Sequence, residues 1–273
     1  QQASPITLQK FTMSLDPITL DPDTLKSANT LNALIYPAHF AKGSMKLVYD
    51  LIILLSDGSE ERVAAKRLYR VVEEDADDIT NMISLSDNHT NLESEVYRLI
   101  LGEKVLNEFY AFARKNNVDV FHIKFSSAYL ATEIRASVTR EPSTASGMVV
   151  FPADSDEGMT WLIEPKRAAA VISFTGTLDQ QPTGSDDICS NTIHAFAHYT
   201  FGASEATVVF ADLQGTPGLV GGKDRIILFD PMTHTTDGTS GLGDFGDEGI
   251  DQFIEGHECN DICDALGLWE KYP

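Results

Sequence analysis

The chain has 273 residues, 42% of them hydrophobic, with 20 basic and 41 acidic side chains and a net charge of −21. That length and apolar content support one large domain or two lobes with buried cores, and they exclude general disorder. The acidic balance opposes binding to a phosphate backbone, so no nucleic-acid partner is expected.

Residues 1–30 are rich in Pro, Ser, Thr and Asp with little periodicity and read as an extended or clasping N-terminal extension, the folded part starting near Leu31. From 46 to 70, KLVYDLIILL, the turn signal SDGS and ERVAAKRLYR predict a β-hairpin. The run LVYDLIILL is too short to span a bilayer and is broken by Asp50, so a soluble chain with no membrane partner is expected. The acidic run EEDADD at 73–78 reads as a solvated surface. Between 92 and 114, Val96, Leu99, Ile100, Leu106, Phe109 and Phe112 follow helical spacing along one face. VFHIKFSSAYLATEI, GMVVFP and MTWLIEP then read as strands.

After Pro165 the pattern changes. DICSNTIHAFAHYTF (187–201), DEGIDQFIEGH and NDICDALGLWEKY read as helices, while ATVVFADLQG and RIILFDP read as strands ending in Asp. A β-rich half followed by a helix-rich half predicts an α+β chain of two lobes, about 31–163 and about 164–273, with a cleft between them.

GLGDFG at 241–246 satisfies the dinucleotide pattern GxGxxG, but polar THTTDGTS precedes it where a strand is required, so a Rossmann site is rejected. The DFG inside it lacks the upstream HRD and downstream APE of ordinary protein kinases and is weak evidence alone. Asp212 and Asp230 each close a strand, and Lys66 lies on the second arm of the hairpin. A hairpin lysine, a cleft and oxygen ligands at strand ends can serve phosphoryl transfer, where the protein mainly positions phosphates and magnesium. Taken singly, a strand-end Asp is more often a turn or cap, and a hairpin Lys is usually solvated.

The order and spacing of the whole set, over about 31–268, resembles the alpha-kinases, an atypical protein-kinase family. PAHFAKGSMKLVY at 37–49 resembles the family's first strand and phosphate loop, with Gly43 and Ser44 at the turn and Lys46 where Arg is usual. VAAKRL resembles the strand bearing the ATP-contacting lysine, which carries over to Lys66. LIEP resembles the hinge and places Glu164 and its neighbours against the adenine. AFAHYTF, VVFADLQG and FDP resemble the core of the C-terminal lobe, and GLGDFGDEGI the late glycine-rich loop. HECNDIC resembles the metal motif.

In this family the fourth metal ligand is a His fourteen residues before the Asp of DxQG, which lands on His198. The resemblance therefore implies a zinc site of His198, His257, Cys259 and Cys263, closed and structural. His194, His234 and Cys189 are not ligands in this reading. With only three cysteines, two of them in that motif, a reducing, cytoplasmic setting is expected.

The implied activity is transfer of the ATP γ-phosphate to a Ser/Thr hydroxyl of a protein substrate. Asp212 orients or deprotonates the hydroxyl, Gln214 and Asp230 hold Mg2+, and Lys66 steadies the phosphates. Gly243, Asp244 and Gly246 shape a loop facing phosphates or peptide. The helix after the hairpin is expected to supply an acidic partner for Lys66, with Glu93, Glu95 and Glu103 all open.

The chain departs from the family at SFTGT (173–177), where Lys-Tyr-Asn is common. TPGLVGGK, before Asp230, reads as a mobile Gly-rich insertion affecting substrate entry. A catalytically weak or inactive pseudokinase acting as a scaffold is the alternative reading. A zinc hydrolase would need an open metal position and a general base, and the four-ligand set supplies neither.

Overall fold

The computed structural model describes residues 2–16, 21–69, 83–167, 170–179 and 187–268. EEDADD at 73–78 and the end of the last predicted helix lie outside them. Chain order gives β1 (Ser4–Thr12), β2 (Lys26–Lys42), β3 (Lys46–Leu54), β4 (Glu60–Leu68), α1 (Leu85–Lys115), β5 (Ile123–Phe125), β6 (Tyr129–Ile134) and β7 (Glu157–Pro165). It continues with β8 (Ile172–Ser173), α2 (Ile188–Ala203), β9 (Val208–Ala211), β10 (Gln214–Val220), β11 (Lys223–Phe229), β12 (Met232–Thr235), α3 (Asp247–Gly256) and α4 (Asp261–Leu266).

The chain divides into two compact units, Gln1–Val96 with Ser127–Lys166, and Tyr97–Ser126 with Arg167–Pro273. The division falls within α1, so the first unit is not the continuous stretch about 31–163 expected from the change of pattern.

The first unit is a closed barrel in the order β1-β2-β3-β4-β7-β6. Its β3–β4 hairpin is the predicted one, in register from Lys46↔Leu68 to Leu54↔Glu60. Alternate residues of the strands face inward, so Leu8, Ile35, Leu51, Ile53, Ala65, Met159 and Trp161 form one core. Residues 4–12 and 26–30 are strand, not an extension outside this fold. β1 pairs with β2 on one side and β6 on the other and so closes the barrel. The signal is the short alternation in ITLQKF, whose Ile6 and Leu8 are buried. Closure also explains why GMVVFP is not a strand. Both edges of β7 are taken by β4 and β6, and Val149 and Val150 stay 87% and 69% exposed.

The second unit combines helices with a four-stranded sheet, β5-β11-β10-β8, and the pair β12-β9. Its core is aromatic: Phe125 and Phe196 lie 5.8 Å apart, and each is 5.5 Å from Phe210. Phe125 packs so closely on α1 that a Cβ at Gly102 would sit 2.7 Å from its ring. TPGLVGGK folds as part of a hairpin. β10 and β11 pair from Gln214↔Phe229 to Val220↔Lys223, and Gly221 and Gly222 take the turn with φ of 61° and 76°. Two consecutive residues at positive φ are what a two-residue hairpin turn demands, so the glycines set the turn.

Candidate active site and metal centre

In the first unit, Lys66 sits on β4, a strand covered on both faces, and its Nζ lies 2.5 Å from Glu164 Oε2. The register explains the pair: Glu164 stands opposite Ala64, and Lys66 is two residues on along the same face. Both side chains are almost wholly buried. An acid that meets Lys66 comes from β7. On α1, Glu95 meets Lys46 at 2.7 Å, Glu93 lies 3.9 Å from His89, and Glu103 accepts a hydrogen bond from Phe125 N–H. The Glu164 carboxylate lies against Lys66.

Gly43 and Ser44 form the tight turn between β2 and β3. Gly43 N–H donates to Lys46 O at 2.8 Å, and Tyr69 Oη donates to the carbonyls of Gly43 and Ser44 at 3.2 and 2.7 Å. A Cβ at Gly43 would meet nothing closer than 3.8 Å, so the turn leaves open space beside its backbone.

In the second unit, two strand corners lie side by side. Ala211 pairs with Met232 at the end of one ladder, and Gln214 pairs with Phe229 at the start of the next. The two connections between those ladders contain Asp212 and Asp230, with φ of 48° and 50°. A left-handed conformation is uncommon for residues other than glycine and costs roughly 1–2 kcal/mol. Both carboxylates stand on bends that ordinary strands would not adopt, and Gln214 is in register with the residue before Asp230. Three oxygen-bearing side chains thus share one corner, the arrangement that holding a hard cation against phosphate needs.

Arg98 on α1, which the sequence did not single out, fixes one of these bends. It is buried, and its guanidinium donates to Pro231 O at 2.8 Å and to Ser240 O at 2.7 Å. A lone Arg in an amphipathic helix reads as surface, so nothing in the pattern marked it.

The late glycine loop is held by Asp244. Its carboxylate accepts from Thr235 N–H, Thr235 Oγ1, Ser240 N–H, Ser240 Oγ and Gly246 N–H at 2.5–3.0 Å. Burial alone would raise its pKa, but these bonds, from Thr235 first, hold it below the ordinary aspartate value. Asp244 therefore organises its own loop. Gly243, with φ of 82°, allows Met232 Sδ to pack where a Cβ would lie 2.2 Å away. Gly246 starts α3. His234 is buried, donates from Nε2 to Thr177 O at 2.6 Å and accepts at Nδ1 from Phe245 N–H at 3.2 Å.

His198, His257, Cys259 and Cys263 come together, with their ligand atoms all within 4.8 Å of one another. α2 begins on Asp187, whose side chain caps Ser190 N–H, and carries His198. His257 ends α3, its ring stacked 5.0 Å from Phe253. Asn260 caps α4 by accepting from Ile262 and Cys263 N–H, and its amide donates to Asn191 O of α2 at 3.0 Å. Burial pushes the Cys263 thiol up to about 12 and the His257 imidazole down to about 3, with His198 and His194 adding to the latter.

The donors fit zinc. Zn–S near 2.3 Å and Zn–N near 2.0–2.1 Å imply a tetrahedral S···N edge of about 3.5 Å. Cys259 Sγ lies 3.6 Å from His198 Nδ1, and Cys263 Sγ lies 3.7 Å from His257 Nε2. His194, one turn before His198, and Cys189 are outside this cluster.

Comparison with known proteins agrees with this geometry. Alpha-protein kinase 1 of Dictyostelium discoideum is 38% identical over 89 residues, 32% of this chain and 6% of that protein. Human eukaryotic elongation factor 2 kinase is 37% identical over 84 residues, 30% of this chain and 10% of that protein. The matched stretches thus span a small part of these relatives' length. Among solved structures, an alpha kinase from Entamoeba histolytica superposes with a TM-score of 0.70 at 18% identity, covering 98% of this chain and 92% of that one. The alpha-kinase domain of myosin heavy chain kinase A, in complex with AMP, gives 0.66 at 19% identity, covering 97% and 99%. The model of the alpha-kinase family matches residues 41–263, from the turn at Gly43 to the last cysteine of the cluster, and on that match this chain belongs to the alpha-kinase family.

Proposed function

We propose that this domain is an active protein serine/threonine kinase that transfers the γ-phosphate of ATP to a hydroxyl of a protein substrate. The observation that carries the reading is the corner of the second unit, where Asp212 and Asp230 both stand on left-handed bends beside Gln214. A scaffold has no need of paired strained carboxylates, whereas phosphoryl transfer needs oxygen atoms fixed before the substrates arrive.

Lys66 steadies the ATP phosphates, its own position fixed by Glu164. The turn at Gly43 and Ser44 offers main chain beside open space, which suits a phosphate. Magnesium would supply positive charge to neutralise the phosphates. Gln214 and Asp230 are the groups that would hold it, and Asp212 orients or deprotonates the acceptor hydroxyl. Because the backbone treats the two aspartates alike, their division of labour is read from metal affinity. The metal ligand, replaced by Ala, loses magnesium-dependent ATP binding, and the residue that serves the hydroxyl keeps it.

Zinc at His198, His257, Cys259 and Cys263 would be structural, since four protein ligands leave no position for substrate. It would join α2 to the chain around α4.

The test is incubation with labelled ATP, magnesium and a panel of helical and basic peptides, followed by identification of the phosphorylated residue. Phosphoserine or phosphothreonine supports the reading. Nucleotide binding without transfer to any peptide or to the chain itself would favour the scaffold.

A further inference from the structure

Asp212 needs an external brace to keep its left-handed conformation, and the brace is the segment 174–177. Asp212 N–H donates to Gly176 O at 2.9 Å, and Leu213 O accepts from Phe174 N–H at 2.8 Å and from Thr175 N–H at 3.3 Å. Those three bonds join main chain to main chain and tolerate many side chains. The fourth does not: Leu213 N–H donates to Thr175 Oγ1 at 2.9 Å. Thr175 is wholly buried and Leu213 is 1% exposed, so water cannot replace the hydroxyl. The segment is pinned in turn by His234, which donates to Thr177 O.

We propose that Thr175 is a positioning residue for phosphoryl transfer, its hydroxyl fixing the Asp212–Leu213 peptide and thereby the direction of the Asp212 carboxylate. The proposal rests on the kinase reading above. It also gives the stretch SFTGT, which departs from the common pattern of the family, a task of its own. Removing the hydroxyl leaves Leu213 N–H buried without an acceptor and frees the bend to relax. A shift of about 1 Å at a reacting group can lower turnover by about a hundredfold without touching the nucleotide.

The test compares the purified chain with Thr175→Val, Thr175→Ser and a control, Thr139→Val. Thr139 Oγ1 donates to Thr7 Oγ1 at 2.9 Å in the buried part of the first unit, so the control also loses one buried hydroxyl bond. Steady-state turnover, KM for ATP and thermal melting are measured for each, well below the melting temperature. Thr175→Val should lose about 10- to 100-fold in kcat with KM for ATP within about twofold of wild type. Thr175→Ser, which keeps the acceptor, should recover most of the turnover, and Thr139→Val should melt earlier with kcat unchanged. The proposal is overturned if Thr175→Val turns over like wild type, if Thr175→Ser loses as much as Thr175→Val, or if Thr139→Val loses kcat equally. Absence of transfer in the wild type overturns the kinase reading and this proposal together, whereas transfer in wild type with an active Thr175→Val overturns this proposal alone.

Discussion

The two units of the chain satisfy their backbones and bury their surfaces by different means. In the first, strands close into a barrel, so each edge finds a partner and the interior fills with Leu8, Ile35, Leu51, Ile53 and Trp161. In the second, the ladders are short, and individual polar side chains hold the bends between them. Asp244 accepts from the loop 235–246, Arg98 holds the carbonyls of Pro231 and Ser240, and His234 links Thr177 to Phe245. The lesson is that the barrel should yield gradually as apolar volume is removed, whereas the second unit should fail in steps as single polar groups or metal ligands are lost.

The largest step is expected at the cluster. Cys263→Ala should lose the zinc proposed there, about one per chain in wild type, and melt far earlier or aggregate, because metal binding contributes folding free energy directly. Elemental analysis and a melting curve check this. His234→Ala should keep its metal, so loss of zinc in that variant with retention in His198→Ala would break the assignment.

Next comes a polar pair buried within the barrel. Lys66→Ala removes the buried ammonium that meets Glu164 and should cost about 3–5 kcal/mol by denaturant unfolding, besides removing phosphoryl transfer. The double variant Lys66→Met/Glu164→Gln should regain most of that stability and none of the activity. Failure of the second substitution to rescue the fold would show that the pair carries less of the strand than its burial implies.

Asp244→Ala should cost about 1–3 kcal/mol, since several N–H groups lose their acceptor. Its pH dependence has a definite sign. The folded carboxyl titrates below the ordinary value of 3.8, so its contribution is present above that value and is lost as pH falls through the lower, folded one. The melting difference between wild type and Asp244→Ala should therefore shrink on acidification below pH 3.8, and a difference that grew instead would contradict the role given to the carboxylate. Smallest of all, Ile53→Val in the barrel core should cost about 0.5–1.5 kcal/mol and leave metal content and turnover alone. A larger loss would remove the contrast between the units.

Much of this was legible in the sequence where the pattern was long or the residue types were rare. The β3–β4 hairpin showed because two aliphatic arms flank SDGS, and α1 and α2 showed because their apolar spacing runs for several turns. The clustering of His198 with HECNDIC came from the family resemblance, not from periodicity. What stayed hidden depends on pairing across the chain. β1 is a short alternation among polar residues, and only its pairing with β2 and β6 reveals that it closes a barrel. Gly-rich TPGLVGGK looked like a loop because glycine carries no inward or outward signal, though its Gly-Gly pair suited a hairpin turn. Lys66 meeting Glu164, and Asp244 folding back on its own loop, follow from strand register and turn geometry that residue types alone do not encode.

The central claim, that the paired aspartates of the second unit make this domain a working kinase, is tested most directly by transfer from labelled ATP to a Ser/Thr peptide. The assay compares wild type with Asp212→Ala and Asp230→Ala, with melting curves alongside. Wild type is predicted to transfer phosphate, and each variant to lose it by about a thousandfold or more while keeping a cooperative melt near that of wild type. Wild-type protein that binds nucleotide and transfers nothing, or variants that turn over at the wild-type rate, would contradict the account.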